Sequence, residues 1–369
     1  MRMKESDRHR LTTFEKEMRG YEQRQLGYPI NVKSKYGFLH SFLDLQLNNV
    51  GDPFVPASYK IHSRQFECEV LRFFARLYKM PADDFWGYVT SGGTEGNLYG
   101  LFVARELYPG GILYFSEDTH YSIRKIARIL NMRYIAVRSQ SNGEMDYDDF
   151  DTILKAHLDT PVIVCANIGT TMMGAIDDIS RIFSILDKNK VGERYVHCDV
   201  ALFGMIVPFV DSKSYVNFTI PIGSIAISGH KFIGASMPCG VVLARKENVQ
   251  RIERKVEYIG SMDTTISGSR SGLAPLILWS AIKDRGMKGF AKEAKECVAI
   301  ARWLLEKLRA MEYPAFLNEH SNTVVLKFPS DRVVKKWQLA VQGDWTHVIV
   351  MQHVTKEMLT EFLADLKEC

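Results

Sequence analysis

Ser224-Ile225-Ala226-Ile227-Ser228-Gly229-His230-Lys231 is the stretch on which the reading of this chain turns. Ser224 to Ile227 is a short apolar run of the kind that forms a buried strand. Serine, histidine and lysine then follow at its carboxyl end, where they are placed to meet a ligand. A lysine at a partly buried site loses its proton more easily and acts as an amine nucleophile. Alone, a lysine is ordinarily a solvated surface charge. The residues around this one argue otherwise.

A second apolar strand, Tyr195-Val196-His197-Cys198-Asp199-Val200-Ala201, carries a single acid near its end. A buried, unpaired carboxylate is costly, so Asp199 needs a cationic partner. Strand–Asp followed by strand–Lys suits pyridoxal 5'-phosphate. The lysine forms an imine with the aldehyde, and the aspartate keeps the pyridine nitrogen protonated as an electron sink.

The 369 residues are enough for a large core and two domains. Apolar content is 46% and charged content 24%, both ordinary for a globular protein. A net charge of +4 is too balanced to point to nucleic acid or to an anionic membrane. The six cysteines, Cys68, Cys165, Cys198, Cys239, Cys297 and Cys369, show no metal-site spacing. They suggest a reducing, cytoplasmic compartment with no disulfide framework and no bound metal. The amino terminus is charged with no apolar segment behind it, which argues against a secretory signal. No window approaches the roughly twenty apolar residues of a membrane span.

Residues 1–60 are polar and broken by Gly27, Pro29, Gly51, Pro53 and Pro56, and they read as an arm with short helices. Phe66, Val70, Phe73, Phe74 and Leu77 share one helical face between Gln65 and Tyr78. His62 and Arg64, just before, are candidates to face a neighbour or a ligand. Strands at Tyr88–Thr90, Ile112–Phe115, Tyr134–Val137 and Val162–Ala166 then alternate with helices at Glu95–Leu107, Tyr121–Leu130 and Ile179–Asn189. Gly240 to Ala244 is apolar and suits an antiparallel partner of the lysine strand. Such alternation predicts an α/β protein with a mostly parallel sheet covered on both faces, its ligands gathered at strand carboxyl ends. The expected large domain is 61–285. Residues 286–369 read as a small α+β carboxyl-terminal domain with helices at Gly289–Met311, Arg332–Ala340 and Lys356–Leu366 and strands at Thr323–Phe328 and His347–Met351.

Further motifs fall at the same level of the sheet. Ser91-Gly92-Gly93-Thr94-Glu95-Gly96-Asn97 joins a strand to a helix, where adjacent glycines and a helix amino terminus suit a phosphate. Neither a P-loop nor a dinucleotide fingerprint is present. In Ser116-Glu117-Asp118-Thr119-His120, His120 is placed to lie over an aromatic cofactor ring. In Ile168-Gly169-Thr170-Thr171, the threonine hydroxyls suit a cofactor hydroxyl or a substrate carboxylate, with a simple turn as the competing reading. Gly174 to Asp178 reads as a loop and helix cap. Gly268-Ser269-Arg270-Ser271-Gly272 is a basic loop suited to a phosphate or carboxylate, with the site of another subunit as one place for that contact.

Together these residues resemble the group II pyridoxal phosphate-dependent amino acid decarboxylases of fold type I, the aspartate aminotransferase-like fold. The closest look is to bacterial histidine decarboxylases and plant serine decarboxylases. The resemblance runs from about Gly27 to the carboxyl end. It is carried by Gly27-Tyr28-Pro29, Asn48-Asn49-Val50-Gly51-Asp52, Gly93-Thr94-Glu95-Gly96-Asn97, Asp118-Thr119-His120-Tyr121-Ser122, Asn167-Ile168-Gly169-Thr170-Thr171, His197-Cys198-Asp199 and Ser228-Gly229-His230-Lys231.

The resemblance implies that Lys231 is the Schiff-base lysine and Asp199 the partner of the pyridine nitrogen. It implies that His120 stacks on the ring near the substrate carboxylate and that Ala201 packs on the other face. Gly93, Thr94, Ser228 and His230 would hold the phosphate. It also implies a homodimer with the active site at the subunit interface, and an L-amino acid substrate. Trp337-Gln338-Leu339-Ala340 and Gln342-Gly343-Asp344 lean toward the serine group.

Three positions depart from the pattern. Tyr258 to Arg270 is short and has no later tyrosine to protonate Cα, which leaves Tyr258 and His120 as candidate donors. Ser271-Gly272-Leu273 stands where relatives read Asn-Gly-His, and Val200 replaces a small residue. The expected reaction is decarboxylation of L-serine to ethanolamine or of L-histidine to histamine. An aldehyde synthase or aminotransferase on the same fold is the alternative, and a non-catalytic scaffold is a third, which the presence of Lys231, Asp199 and His120 argues against.

Overall fold

The computed structural model describes residues 3–211, 216–257 and 260–368. The amino-terminal region holds α1 (Glu5–Glu22), an 18-residue helix with no buried side chain, longer than the short helices expected there. In α2 (Arg64–Leu77), Val70, Phe73, Phe74 and Leu77 are buried on the face that their spacing predicts. Arg64 at its start does not face a ligand. It is buried and donates to the backbone carbonyls of Val50 and Val55.

Strands and helices then alternate as β1 (Phe85–Thr90), α3 (Gly93–Leu107), β2 (Ile112–Ser116), α4 (Ser122–Ile129) and β3 (Arg133–Val137). They continue through α5 (Tyr147–Lys155), β4 (Val162–Asn167), α6 (Ile179–Lys188), β5 (Arg194–Asp199), the short α7 (Val207–Val210), β6 (Ser224–Ser228), β7 (Gly240–Arg245) and α8 (Lys246–Gln250). One sheet results, in the order β1-β7-β6-β5-β4-β2-β3. From β6 through to β3 every neighbouring pair is parallel. β7 runs antiparallel between β6 and β1, as the lysine strand's expected partner.

Both faces of the sheet are covered. On β2, Ile112 and Tyr114 join one core while Leu113 and Phe115 join the other, all fully buried. That is the period-2 alternation of a strand sandwiched between helix layers. Ile112, Leu113 and Phe115 each stabilise the fold by about 1.5–3 kcal/mol relative to exposure. α5 is not legible as an apolar run, because it buries only Tyr147, Phe150 and Leu154. Its start is fixed instead by Asp146, which accepts from the Asp148 and Asp149 amides. The Asp178 cap of α6 is where the sequence puts it, accepting from the Arg181 amide.

Beyond the sheet, β8 (Arg254–Val256) pairs antiparallel with β9 (Ser261–Asp263). α9 (Leu273–Ala310) is broken at Gly286, whose φ of 55° and ψ of −171° leave the helical region. Two helices therefore meet there. A second sheet follows from β10 (Ala315–Leu317), β11 (Thr323–Lys327), β12 (Val341–Gln342) and β13 (Trp345–Ile349), in the order β10-β11-β13-β12. α10 (Asp331–Trp337) and α11 (Lys356–Lys367) pack with it. The amino-terminal segment docks on this region. The Leu26 amide donates to the Trp337 carbonyl at 3.2 Å, and the Ile349 amide donates to the Leu26 carbonyl at 2.8 Å. A Cβ on Gly27 would lie 2.2 Å from the Gln338 carbonyl oxygen, so only glycine permits this approach.

Candidate active site

Five chain crossings end at one layer. β2 leads to His120, β4 to Asn167 and Thr170, β5 to Asp199 and Ala201, and β6 to Ser228, His230 and Lys231, while α3 begins there at Gly93. These residues, with Thr94, Asn97, Tyr121, Gly169 and Thr171, line a single cavity of about 240 Å³. It sits outside the carboxyl ends of the parallel strands, where open α/β sheets bind ligands. Lys231, Asp199, Ala201, His120, Gly93, Thr94, Thr170, Ser228 and His230, all expected from the sequence, are on its wall.

Lys231 lies three residues past β6, on the turn that follows Ser228. Its side chain is partly exposed, toward the cavity. Burial lowers the pKa of its amine, and the nearby Asp199 carboxylate acts in the opposite direction. Asp199 is 8% exposed and is the last residue of β5. Its Oδ1 accepts from the Ala201 amide at 3.0 Å and its Oδ2 from Asn97 Nδ2 at 2.7 Å. An amine and an acid thus share one pocket without a direct ion pair between them among the described contacts.

The other walls are polar and fixed. His120 Nδ1 is 2.7 Å from Ser122 Oγ at the start of α4, which ties that nitrogen to the protein and leaves Nε2 for a ligand. Burial lowers the His120 pKa, Asp199 raises it, and Lys231 and Lys125 lower it further. Burial lowers that of His230 as well, and its Nδ1 sits 3.0 Å from the Cys239 carbonyl oxygen. Thr170 Oγ1 accepts from the Ala175 amide at 3.0 Å, so it closes its own turn while its hydroxyl hydrogen can still be donated. Tyr258, the other candidate proton donor, lies outside the described residues.

The start of α3 is shaped for an anion. Gly92 has a φ of 157°, and the first amides of the helix have no intrahelical partner. Glu95 folds back, accepting from the Ser91 amide at 2.7 Å and from the Tyr88 hydroxyl at 2.9 Å. A Cβ on Gly93 would lie 2.6 Å from Ser228 Oγ, so a side chain there would fill the cradle.

Two basic candidates, Arg64 and Arg270, are elsewhere. Arg270 does not offer itself to a ligand, because its side chain points inward and pairs with the buried Glu67. The loop composition is the same for either outcome; what decides is an acid on α2 that needs a cation. Conversely, Asn97 and Asn167 are wall residues that the motifs contain but that were not singled out. Asn167 pairs in register with Asp199 and donates to Ser116 Oγ at 3.1 Å and to Thr119 Oγ1 at 3.0 Å, tying the β2 loop to β4. The one signal in the sequence was an asparagine at the end of each of two apolar or glycine-rich runs.

A profile of the pyridoxal-dependent decarboxylase conserved domain matches residues 102–328. This chain belongs to that family. Serine decarboxylase 2 of Oryza sativa subsp. japonica is 48% identical over 345 residues, 93% of this chain and 74% of its own. The histidine decarboxylase of Mesorhizobium japonicum is 46% identical over 332 residues, 90% of each chain. L-methionine decarboxylase from Streptomyces superimposes with a TM-score of 0.90 at 25% identity, covering 99% of this chain and 96% of its own. The family and fold make this protein a pyridoxal phosphate-dependent amino acid decarboxylase, a carboxy-lyase of fold type I. The residues present fit the cofactor: a half-buried amine, a buried carboxylate held by two donors, and a glycine-lined helix terminus lie in one cavity.

Proposed function

We propose that this decarboxylase converts L-serine to ethanolamine and carbon dioxide, with Lys231, Asp199 and His120 as its catalytic residues. The observation that carries the site assignment is the convergence of Lys231 and Asp199 in one cavity at the amino end of α3. Serine is favoured because three serine decarboxylases of Oryza sativa match at 45–48% identity over 93% of the chain. L-Histidine is the second reading. The histidine decarboxylases match at 40–46% identity but share this chain's length, which covers 90–91% of theirs. An aldehyde synthase or aminotransferase activity would give ammonia or a keto acid instead.

Pyridoxal phosphate, when bound, supplies the electron sink that accepts the pair released as carbon dioxide leaves. The protein's own groups supply attachment, orientation and charge. Lys231 Nζ, with its pKa lowered by burial, is the amine for covalent attachment. Asp199 would hold a proton on the pyridine nitrogen. His120 would stack on the ring and face the substrate carboxylate through Nε2, and Ala201 would pack on the opposite face. Gly93, Thr94, Ser228 and His230 would hold the phosphate, and the Thr170 hydroxyl would donate to the ring's oxygen substituent. His120 would also return a proton to Cα.

We further propose that the protein is a homodimer with the site at the subunit interface. Leu11, Phe14, Met18 and Tyr21 are exposed along α1, an apolar stripe that nothing in the chain covers among the described residues. A cytoplasmic location is in keeping with Cys68, Cys165, Cys198, Cys239 and Cys297, all free thiols. No described helix is long and apolar enough to cross a membrane. The break at Gly286 supports a division into an amino-terminal arm (1–60), a large domain (61–285) and a small domain (286–369).

The test is a mass-spectrometric screen for amine release from each of the twenty amino acids by the cofactor-loaded protein. Ethanolamine from L-serine is the expected product. Histamine alone would move the assignment to the second reading, and turnover of only large aromatic acids would refute both.

A further inference from the structure

We propose that Asn97 and His197 are positioning residues in a one-way chain of hydrogen-bond donors that runs from Tyr195 through Ser224, His197 and Asn97 to the Asp199 carboxylate. The links are continuous. Tyr195 Oη is 2.9 Å from Ser224 Oγ, which is 2.8 Å from His197 Nδ1. His197 Nε2 is 2.9 Å from Asn97 Oδ1, and Asn97 Nδ2 is 2.7 Å from Asp199 Oδ2. All five residues are at most 8% exposed.

The direction follows from the acid end. A carboxylate accepts only, so the amide group that Asn97 turns toward it is the NH2. The Asn97 oxygen then faces His197 and also accepts only, which places the hydrogen of His197 on Nε2. Burial pushes the His197 pKa down to about 4, so the ring is neutral and Nδ1 is bare. Ser224 must donate to Nδ1, and Tyr195 donates to Ser224. Each group between Tyr195 and Asp199 gives one hydrogen toward Asp199 and receives one from behind.

The backbone is built around this chain. Gly93, Gly96 and Gly100 line one face of α3 opposite Ser228, Ala226 and Ser224, alternate residues on one face of β6. A Cβ on Gly93, Gly96 or Gly100 would lie 2.6, 2.9 or 2.7 Å from Ser228 Oγ, Ala226 Cβ or Ser224 Oγ, respectively. On Gly100 it would also lie 2.3 Å from His197 Nδ1. The helix can seat Asn97 between His197 and Asp199 only because those three positions carry no side chain. The chain therefore fixes the carboxylate's orientation and supplies it with donors. That is the state a partner of the protonated pyridine nitrogen must keep.

The inference rests on the reading of Asp199 given above, and the test separates the two. The titratable groups around Asp199 are Lys231 and His120 from the cavity and His197, Cys165 and Cys198 from the sheet. The holoenzyme labelled with 15N-histidine, loaded with pyridoxal phosphate, should show His197 protonated on Nε2, bare on Nδ1 and uncharged at pH 6. A hydrogen on Nδ1 would overturn the chain, and this measurement needs no variant. In Asn97→Asp the new carboxyl can donate only while it and Asp199 share a proton. Retention of pyridoxal phosphate should then weaken about tenfold as that proton is lost with rising pH, whereas the wild type lacks this step. Retention equal to wild type at every pH would overturn the chain, provided Asp199→Asn does weaken it. Unchanged retention in Asp199→Asn would instead overturn the reading of Asp199.

Discussion

Arg270 and Glu67 form an ion pair sealed inside the protein, with the guanidinium Nη1 against Glu67 Oε1 and both side chains buried. Glu67 also accepts from Asn49 Nδ2 at 2.7 Å and from the Val89 amide at 2.8 Å, and Arg270 donates to the Gly51 carbonyl at 3.0 Å. The pair pins α2 to β1, to the Asn49–Gly51 loop and to the segment before α9. Removing one partner strands the other charge out of water, which costs about 3–5 kcal/mol. Arg270→Met should lower unfolding stability by that amount in a urea titration. The double variant Glu67→Gln with Arg270→Met should recover part of the loss. A ligand-binding arginine would give the opposite pattern, with stability unchanged and only binding weakened.

Gly100 offers a sharper test of how close α3 must come to the sheet. A methyl group there would meet the His197 ring and Ser224 together, and neither is free to move. Overpacking of this kind costs about 1–3 kcal/mol. Gly100→Ala should show that loss in thermal unfolding, together with weaker retention of pyridoxal phosphate, because the helix would lift Asn97 away from Asp199. Gly20, which meets nothing within 4 Å, is the control: Gly20→Ala on α1 should be neutral or slightly stabilising.

The contrast between these glycines shows what the sequence could and could not convey. The strands carrying Asp199 and Lys231 were legible because apolar runs ending in a charge announce a buried strand with chemistry at its tip. The Gly93-Thr94-Glu95-Gly96-Asn97 turn was legible as a helix start. Its deeper role was not, because the spacing of Gly93, Gly96 and Gly100 acquires meaning only against Ser224, Ala226 and Ser228, more than a hundred residues away. Arg270 was misread for the same reason: its partner lies on α2, and nothing local separates an inward arginine from an outward one. α1 was underestimated because its apolar stripe, Leu11, Phe14, Met18 and Tyr21, is sparse among charged residues and stays exposed.

Lys231 should be dispensable for folding and indispensable for attachment. It stands on a turn, partly exposed to the cavity, and no described hydrogen bond of the fold depends on its amine. Lys231→Ala should keep its thermal stability within about 1 kcal/mol, as expected away from packed features. Treatment with borohydride should fix the cofactor to the wild type but not to the variant, read as a mass increase of the intact chain. Turnover should fall by about a thousandfold or more, since an amine held in place is lost. A borohydride-stable adduct in the variant would mean that another amine does the work.

Stability should decline on acidification in a way traceable to His197. Its pKa falls from the ordinary 6.5 to about 4 in the native state because burial disfavours the charged ring. Above pH 6.5 both states are neutral and the residue contributes nothing to the pH dependence. Between pH 6.5 and pH 4 the unfolded chain takes up a proton that the native chain refuses, so stability is lost as pH falls, by about 3 kcal/mol across the window. Asp177 opposes this, because burial raises its carboxyl to about 6 and the native state gains a proton as pH drops toward the ordinary 3.8. The clean comparison is therefore the difference between wild type and His197→Asn, in which the Asp177 contribution is common to both. Denaturation at pH 7 and at pH 5 should show a smaller acid loss in the variant, even though its stability at pH 7 is lower. Equal losses in the two proteins would mean that His197 is charged in the folded state, and the donor chain to Asp199 would then have to run differently.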